Sequence, residues 1–174
     1  QKNPYPAHLN RKGVLGCALS HYCLWQYAVN QRSNLLVLED DLELAPNFAQ
    51  RWNELEEHLN KSPDWDLCFL GYLDDLDIYH DEVTTTLPLT KLRKFSALPR
   101  KHGGGTHGYC ISYQGAQKMI KLVEKYGIPQ PIDWFMIEMF PFVNAFKCDP
   151  HLIEQSSIQD TDIQRDYSQV VRPA

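Results

Sequence analysis

The stretch that decides the fold is Leu35-Leu36-Val37-Leu38-Glu39-Asp40-Asp41, in which four aliphatic residues are followed at once by three acids. A continuous aliphatic run of this length is typical of a strand that is covered on both faces, as in a parallel sheet. A second such run, Leu67-Cys68-Phe69-Leu70, ends at Gly71. Between the two runs, apolar residues at helical spacing predict a helix that starts at Pro46. This order predicts a βαβ unit, whose parallel strands present their carboxyl ends at one edge of the sheet.

The remaining apolar patterns extend this α/β interpretation along the chain. Helices are predicted over residues 15–31 and 114–126, the latter ending at Gly127, and a short helix up to Phe140 is predicted to follow the connector that leads into Ile132-Asp133-Trp134. Strands are predicted over residues 92–98, 106–112 and 142–146, and a loop over residues 72–90. The chain is therefore interpreted as one domain, residues 1–174, with a polar arm over 1–12 and an extended tail over 156–174.

Composition and charge exclude several classes of protein. The chain has 174 residues, of which 43% are apolar, which suits a single folded domain. Its 17 basic and 22 acidic residues give a net charge of −5 without a basic stripe, so no nucleic-acid partner is expected. No apolar run approaches the roughly 20 residues that span a bilayer, so no membrane span is expected in this chain. The five cysteines lack a CxxC pair and are interpreted as small buried side chains.

The acids that follow the first strand are candidate metal ligands. Glu39 and Asp41 point the same way if the chain stays extended, because strand side chains alternate between faces. Two neighbouring carboxylates repel each other, and a hard cation such as magnesium, manganese or calcium between them relieves that repulsion. The alternative is a solvated turn, for which aspartate has a high propensity. Both interpretations remain open on the residues alone.

Four blocks of sequence resemble glycosyltransferase family 25, which includes bacterial lipopolysaccharide galactosyltransferases and procollagen galactosyltransferases. The blocks occur in family order. They are Gly13-Val14-Leu15-Gly16-Cys17-Ala18-Leu19-Ser20-His21 with Trp25 and then Val37-Leu38-Glu39-Asp40-Asp41; Gly105-Thr106-His107-Gly108-Tyr109-Cys110-Ile111-Ser112 with Gly115-Ala116-Gln117-Lys118; Pro131-Ile132-Asp133; and Pro150-His151-Leu152 with Gln155 and Asp162-Ile163. Because they span residues 13 to 163 in the right order, together they are far more specific than any one block.

The resemblance implies a GT-A type nucleotide-diphospho-sugar transferase fold, with a Rossmann-like, mostly parallel sheet and flanking helices. It also implies a UDP-sugar donor, a glycan or protein acceptor, a divalent metal and inversion at the anomeric carbon. We expect galactose as the sugar and manganese as the metal. The family normally begins with a strand and loop that hold the uridine, whereas only 12 residues precede Gly13. We therefore expect either that this chain is a fragment of a longer one or that the protein lacks this N-terminal nucleotide-binding strand.

By position in the family blocks, Glu39, Asp40 and Asp41 correspond to the acidic metal-binding motif. The resemblance makes Asp41 the first choice for a direct metal ligand, together with Glu39. His151 is a further ligand candidate, because GT-A enzymes often add a late histidine. Glu39, Asp40 and His107 are the candidates for contact with the donor, although His107 beside Gly108 also fits a tight crossing of strands.

The resemblance also implies a catalytic base. Asp133, in the Pro-Ile-Asp block, is the candidate that takes the acceptor proton. The alternative is that Asp133 is the N-cap of the following helix, since aspartate is a preferred cap. Glu138 is the reserve candidate. His21, in the first helix, is interpreted either as a functional histidine or as a hydrogen-bonded core residue.

Three hypotheses about function follow. The first is a metal-dependent glycosyltransferase, and its intact Glu39-Asp40-Asp41 motif supports activity. The second is a catalytically inactive family-25-like module that binds a partner or a glycan. The third is a metal-dependent hydrolase that uses the same carboxylates. The transferase and the hydrolase differ in whether the released sugar is found on an acceptor or free in solution.

Overall fold

A computed structural model of the chain describes residues 12–62, 64–71, 80–83, 91–95 and 105–156. The helices are α1 (Lys12–Gln31), α2 (Phe48–Lys61), α3 (Tyr113–Tyr126) and α4 (Ile132–Glu138), with a 3-10 turn at Phe140–Phe142. The strands are β1 (Leu35–Leu38), β2 (Leu42–Leu44), β3 (Leu67–Gly71), β4 (His80–Val83), β5 (Lys91–Phe95), β6 (Gly108–Ile111), β7 (Ala145–Asp149) and β8 (Ile153–Gln155). Among these described elements, no helix is long and apolar enough to cross a membrane.

The main sheet has the strand order β1-β6-β3-β7-β5-β4, and β2 pairs with β8 in a small second sheet. The α/β class is confirmed. The prediction of a mostly parallel sheet is wrong, because β3 and β7 pair in parallel while the other described pairs are antiparallel. β1 and β3 do run in the same direction, as the βαβ pattern predicts, but β6 lies between them. An aliphatic run reports coverage on both faces and not strand direction, so it could not reveal this insertion.

Strands β3 and β6 are buried on both faces, as the aliphatic run predicts for β3. Alternate residues of β6 show the pattern, since Tyr109 and Ile111 pack on one side and Cys110 on the other. We call the first side the α1 face; its buried cluster includes Trp25, Val37, Phe69, Tyr109, Met119 and Phe135, from α1, α3, α4 and the strands. We call the second side the α2 face; its cluster includes Leu55, Leu59, Cys68, Leu70, Cys110, Cys148, Leu152 and Ile153. Strand β1 is an edge strand of the main sheet, where Val37 is buried and Leu38 is 43% exposed.

Several predicted boundaries are close to those observed. β1 covers the predicted residues 35–38, and α3 ends before Gly127, whose φ is 69° and whose N–H bonds the Val123 carbonyl. Helix α2 begins at Phe48 instead of Pro46, because Asn47 adopts a left-handed conformation with φ 61°. The predicted strands at 92–98 and 106–112 are observed as the shorter β5 and β6.

Other predictions are wrong or fall outside the described residues. The strand predicted at 142–146 is β7 at Ala145–Asp149, because Pro141, which has no N–H, lies in the 3-10 turn that precedes it. Residues 80–83 form β4 within the predicted loop, and the short strands β2 and β8 were not predicted. The arm over 1–12 and the tail over 156–174 lie almost wholly outside the described residues.

The carboxyl ends of β1 and β3 and the start of β6 meet at one edge of the sheet, and β8 crosses this edge. Gly71 and Gly108 are register partners there. A Cβ on Gly71 would overlap the backbone oxygen of Ile153, so only glycine allows β8 to approach this closely. The Leu152 N–H donates to the Leu70 carbonyl at 2.8 Å. Strand β8 therefore lies next to the acidic motif at this edge.

Candidate functional site

The acidic motif forms the turn between β1 and β2 at this edge. The Glu39 N–H donates to the His107 carbonyl at 2.9 Å, which ties the turn to the residue before β6. Glu39, Asp41 and His107 each offer one atom that could bind a metal, and these three atoms all lie within 4.8 Å of one another. Asp40 is exposed between them and does not join this group. The structure thus brings Glu39 and Asp41 together, as strand alternation predicted, although a turn and not an extended strand does so.

Two polar atoms of this group are buried without a hydrogen-bond partner among the described residues. They are Oδ1 of Asp41 and Nε2 of His107, and the His107 side chain is only 5% exposed. The other Asp41 oxygen, Oδ2, accepts from Gln155 Nε2 at 3.2 Å. An unpaired buried polar atom costs about 1–3 kcal/mol, which a cation bound by these atoms would offset. Two carboxylates and one imidazole therefore fit a divalent cation.

Gly105 gives His107 the space that its ring occupies. The φ of Gly105 is 105°, in the region that favours glycine, and a Cβ there would lie 2.5 Å from His107 Nε2. The glycine before the Thr-His pair is therefore needed both for the backbone turn and for the ring. This explains locally why His107 lies against the acidic turn and not away from it.

Glu39 is held by two donors from different elements. The Thr106 hydroxyl donates to Glu39 Oε1, and His21 Nε2 lies 3.3 Å from the same oxygen. Burial alone raises the pKa of Glu39, but the bonds from His21 and Thr106 lower it more, so its net pKa lies below the usual value. Glu39 is therefore ionised at neutral pH although it is only 24% exposed at its side chain.

His21 connects Glu39 to the core. Its Nδ1 lies 2.8 Å from the Tyr109 hydroxyl, which also accepts from Trp25 Nε1 at 3.0 Å. All three side chains are buried on the α1 face. His21 is thus a hydrogen-bonded core histidine, as one interpretation predicts, and it also contacts Glu39. A functional role for His21 stays a prediction.

Cys17 lies where the carboxylates converge. Its thiol belongs to a second group, with His21 and Glu39, whose candidate ligand atoms also lie within 4.8 Å of one another. Burial, followed by the charges of Glu39, Asp133 and Asp41, raises the pKa of Cys17 to about 12. The thiol therefore stays protonated at neutral pH. Because all three carboxylates act on this one thiol, Asp133 faces the same region as the acidic turn.

Asp133 lies inside the first turn of α4. The helix begins at Ile132 with Pro131 as its N-cap, so the alternative that Asp133 is the N-cap is wrong; the proline before it takes that position. The Trp134 N–H donates to Asp133 Oδ1 at 2.9 Å, and the Gly105 N–H also bonds the carboxylate. Burial, with a smaller contribution from the charge of Glu39, raises the pKa of Asp133. A carboxyl group whose pKa is raised toward neutrality is suited to general base work.

The structure does not bring His151 or Glu138 into these groups. His151 Nδ1 lies 3.2 Å from Glu154 Oε1, and the His151 carbonyl accepts from Arg51 Nη1 at 3.0 Å. The sequence analysis proposed His151 as the histidine ligand, but the histidine that lies beside Glu39 and Asp41 is His107. A metal role for His151 stays a prediction. Glu138, the reserve base, is the last residue of α4.

Four residues of the site received no role from the sequence: Cys17, Thr106, Tyr109 and Gln155. Each one lies in a block that resembles family 25. Their common signal is a polar or sulfur side chain within such a block. That signal identifies candidates but not partners, because the contacts join residues far apart in sequence, such as Asp41 and Gln155.

Comparison with known proteins gives the site a family context. The family description that matches is glycosyltransferase family 25 (LPS biosynthesis protein), over residues 4–136. A protein of Acanthamoeba polyphaga mimivirus that is provisionally named a glycosyltransferase is 31% identical over 175 positions, which cover 93% of this chain and 51% of that protein. Procollagen galactosyltransferase 1 of Danio rerio is 32% identical over 183 positions, covering 92% of this chain and 29% of its own length.

A third relative carries a different name. The inactive glycosyltransferase 25 family member 3 of Mus musculus is 30% identical over 141 positions, covering 80% of this chain and 22% of its own length. The chain thus spans about half the length of the viral relative and less than a third of the two vertebrate ones.

Proposed function

The chain belongs to glycosyltransferase family 25, and from this premise we propose that it transfers a sugar from a UDP-sugar to a hydroxyl group of a glycan or protein acceptor. Galactose is the proposed sugar, a choice supported by the name of the Danio rerio relative, procollagen galactosyltransferase 1. The proposed reaction needs a divalent cation and inverts the anomeric carbon. It rests on one observation above all: Glu39, Asp41 and His107 converge, and Asp41 and His107 each hold a buried atom without a partner among the described residues.

Glu39, Asp41 and His107 would hold the cation in this proposal. A divalent cation, when bound, neutralises the charge that develops on a departing diphosphate. The imidazole in the set favours manganese over magnesium, which prefers oxygen ligands alone. The lowered pKa of Glu39 keeps that carboxylate ionised, and the bond from Gln155 holds the Asp41 carboxylate in a defined orientation.

Asp133 would take the proton in the transfer step. The acceptor oxygen forms a bond to the anomeric carbon while the bond from that carbon to the diphosphate oxygen breaks, and the electron pair of the broken bond leaves with UDP. The acceptor hydroxyl proton passes to the Asp133 carboxylate. The N–H groups of Trp134 and Gly105 orient this carboxylate, and its raised pKa makes it a stronger base than an exposed aspartate. A single displacement of this kind inverts the anomeric carbon.

A binding module without transferase activity is the second candidate function. The observation that favours it is the similarity to a relative that is named inactive and that aligns with 80% of this chain. Such a module would keep the acidic turn and bind a nucleotide sugar or a glycan, but it would form no new glycosidic bond. Activity therefore has to be measured separately from binding.

The experiment pairs a binding measurement with a product measurement. We expect manganese-dependent binding of UDP to the 174-residue chain by calorimetry, and an affinity at least tenfold lower for Asp41→Asn. Asp64→Asn, the same change at an exposed position in a turn, is the matched control and should bind like wild type. Equal affinity of Asp41→Asn and wild type would overturn the metal role of Asp41.

The product measurement uses UDP-galactose labelled in the sugar and a panel of hydroxyl acceptors. Label on an acceptor supports the transferase, and label that appears only as free galactose indicates a hydrolase. Binding of UDP with no release of label from the donor supports the binding module. Inversion is checked from the anomeric configuration of the product.

A further inference from the structure

Glu39 belongs to two candidate ligand groups at once. One is Glu39 with Asp41 and His107, and the other is Glu39 with Cys17 and His21. Cys17 and His21 are four residues apart on α1, so their side chains lie on the same side of the helix, as pairs of metal ligands often do. The distances do not show which of the two groups would bind a cation, because they satisfy the same limit. The directions of the hydrogen bonds around His21 distinguish between the two groups.

The chain of hydrogen bonds starts at Trp25, whose indole N–H can only donate. It donates to the Tyr109 oxygen at 3.0 Å. A phenol has one proton, and the neighbour that can accept it is His21 Nδ1 at 2.8 Å. A phenol keeps its proton over the whole neutral range, because the ordinary pKa of tyrosine is about 10. Tyr109 therefore donates to His21, and Nδ1 is the acceptor nitrogen.

A neutral imidazole that accepts at Nδ1 carries its proton at Nε2. His21 Nε2 lies 3.3 Å from Glu39 Oε1, so its N–H can donate to this carboxylate oxygen. Donors then run one way, from Trp25 through Tyr109 and His21 to the carboxylate. Trp25 and Tyr109 are 0% exposed and His21 is 3% exposed, so the direction is set by protein groups.

The opposite tautomer conflicts with this chain. A histidine that binds a metal through Nε2 carries its proton at Nδ1. That proton would point at the Tyr109 oxygen, which already accepts from Trp25, and the phenol proton would then be buried without an acceptor among the described partners. An unpaired buried donor costs about 1–3 kcal/mol. This cost weighs against His21 as a ligand, so the hydrogen bonds favour Asp41 and His107 over Cys17 and His21 as the partners of Glu39 in a cation site.

We propose that His21 is a positioning residue, locked by Trp25 and Tyr109 in the tautomer that donates from Nε2 to Glu39, and that it holds Glu39 for a hard cation bound with Asp41 and His107. The link to a cation rests on the proposed function, whereas the tautomer does not. Thr106 supports the same orientation, because its hydroxyl donates to the same Glu39 oxygen. Outer groups of this kind typically change metal affinity by about 10–100-fold when they are removed.

The tautomer is tested first, on the metal-free 174-residue chain with 15N-labelled histidine. We expect the His21 ring to show an unprotonated Nδ1 and a protonated Nε2, with the signal assigned by its loss in His21→Gln. Tyr109→Phe, which removes only the hydroxyl, should shift the His21 signals toward a mixture of tautomers. A protonated Nδ1 in the wild type would overturn the proposal.

Manganese affinity provides the second readout. Tyr109→Phe should bind Mn2+ about tenfold more weakly than wild type. Cys110→Ala, at the next residue of β6 but on the α2 face, is the matched control and should bind like wild type. An unchanged affinity in Tyr109→Phe would overturn the positioning role. If the wild type binds no Mn2+, the proposed function fails, and the tautomer measurement still stands on its own.

Two amide substitutions test which nitrogen matters. His21→Gln places an amide N–H near the position of Nε2, so it should keep manganese affinity within about threefold of wild type. His21→Asn places its amide near Nδ1 and should lose affinity by about tenfold. Equal affinities in both variants would contradict a donor at Nε2. Cobalt titration adds a direct check on Cys17: a thiolate-to-cobalt absorption band would overturn the preference for the other group, and a spectrum without one supports that preference.

Discussion

Tyr109 and Cys110 are neighbours in β6, yet they belong to different parts of the molecule. Tyr109 faces α1, where its hydroxyl links two buried polar side chains and leads to Glu39. Cys110 faces α2, where burial raises the pKa of its thiol and where two other buried thiols, those of Cys68 and Cys148, lie 3.9 Å apart. The α1 face therefore carries a chain of buried polar groups that leads to the acidic turn, whereas the α2 face carries thiols among apolar side chains.

The two faces therefore differ in role: the α1 face leads to the candidate site, and the α2 face packs the elements that hold that site in place. Buried polar groups on the α1 face end at the acidic turn, and Asp133 reaches the same region from α4. The cluster on the α2 face includes Leu152 and Ile153, so it places β8, whose Gln155 bonds Asp41. Substitutions on the α1 face should therefore change activity more than stability, and substitutions on the α2 face should do the reverse. Three substitutions test this, taken from the largest expected effect to the smallest.

Asp133→Asn should lower the rate of sugar transfer by about 10^2 to 10^4-fold, because an amide cannot take the acceptor proton. Stability at pH 7 should not fall. The folded pKa of Asp133 lies above the usual 3.8, so its contribution to stability is present below that pH and is lost as the pH rises through the folded pKa. Initial rates and thermal melts measure the two effects. A rate within threefold of wild type would indicate that another group, such as Glu138, is the base.

Gly71→Ala should lower the free energy of unfolding by about 1–3 kcal/mol, because a methyl group there overlaps the Ile153 backbone. Gly16→Ala is the matched control on α1: it has open space around its Cβ, and it should raise the free energy of unfolding by about 0.5–1 kcal/mol. Chemical denaturation measures both variants. If the two substitutions have the same sign, β8 does not pack against β3 as closely as described.

Cys148→Ala should have the smallest effect, a loss of about 1–2 kcal/mol in the free energy of unfolding, because it leaves a small cavity in the α2-face cluster. Manganese affinity and transfer rate should stay at wild-type values. Denaturation and activity are measured on the same preparation. A large loss of activity at unchanged stability would remove the distinction between the two faces.

The sequence by itself determined those features that depend on neighbouring residues. Four consecutive aliphatic residues predicted strand β1, and the acids after it placed a candidate site at the end of that strand. The predicted burial on both faces is wrong for Leu38, which is 43% exposed because β1 is an edge strand. Gly127 was predicted to end α3, and the helix does end at Tyr126; the φ of 69° at Gly127 is one that favours glycine. The family blocks led to Asp133, which lies beside the acidic turn in the structure.

Only the tertiary structure decided which distant residues meet. β6 enters between β1 and β3 in the antiparallel direction, and a run of covered residues has the same pattern in either direction. That insertion brings His107, and not His151, to Glu39 and Asp41, and it places the Tyr109 hydroxyl against His21. A hydrogen bond depends on two groups being in place at once, and here they are contributed by strands and helices up to 114 residues apart in sequence. Spacing along the chain carries no information about such a pair, so the partners of the acidic turn appear only in the folded molecule.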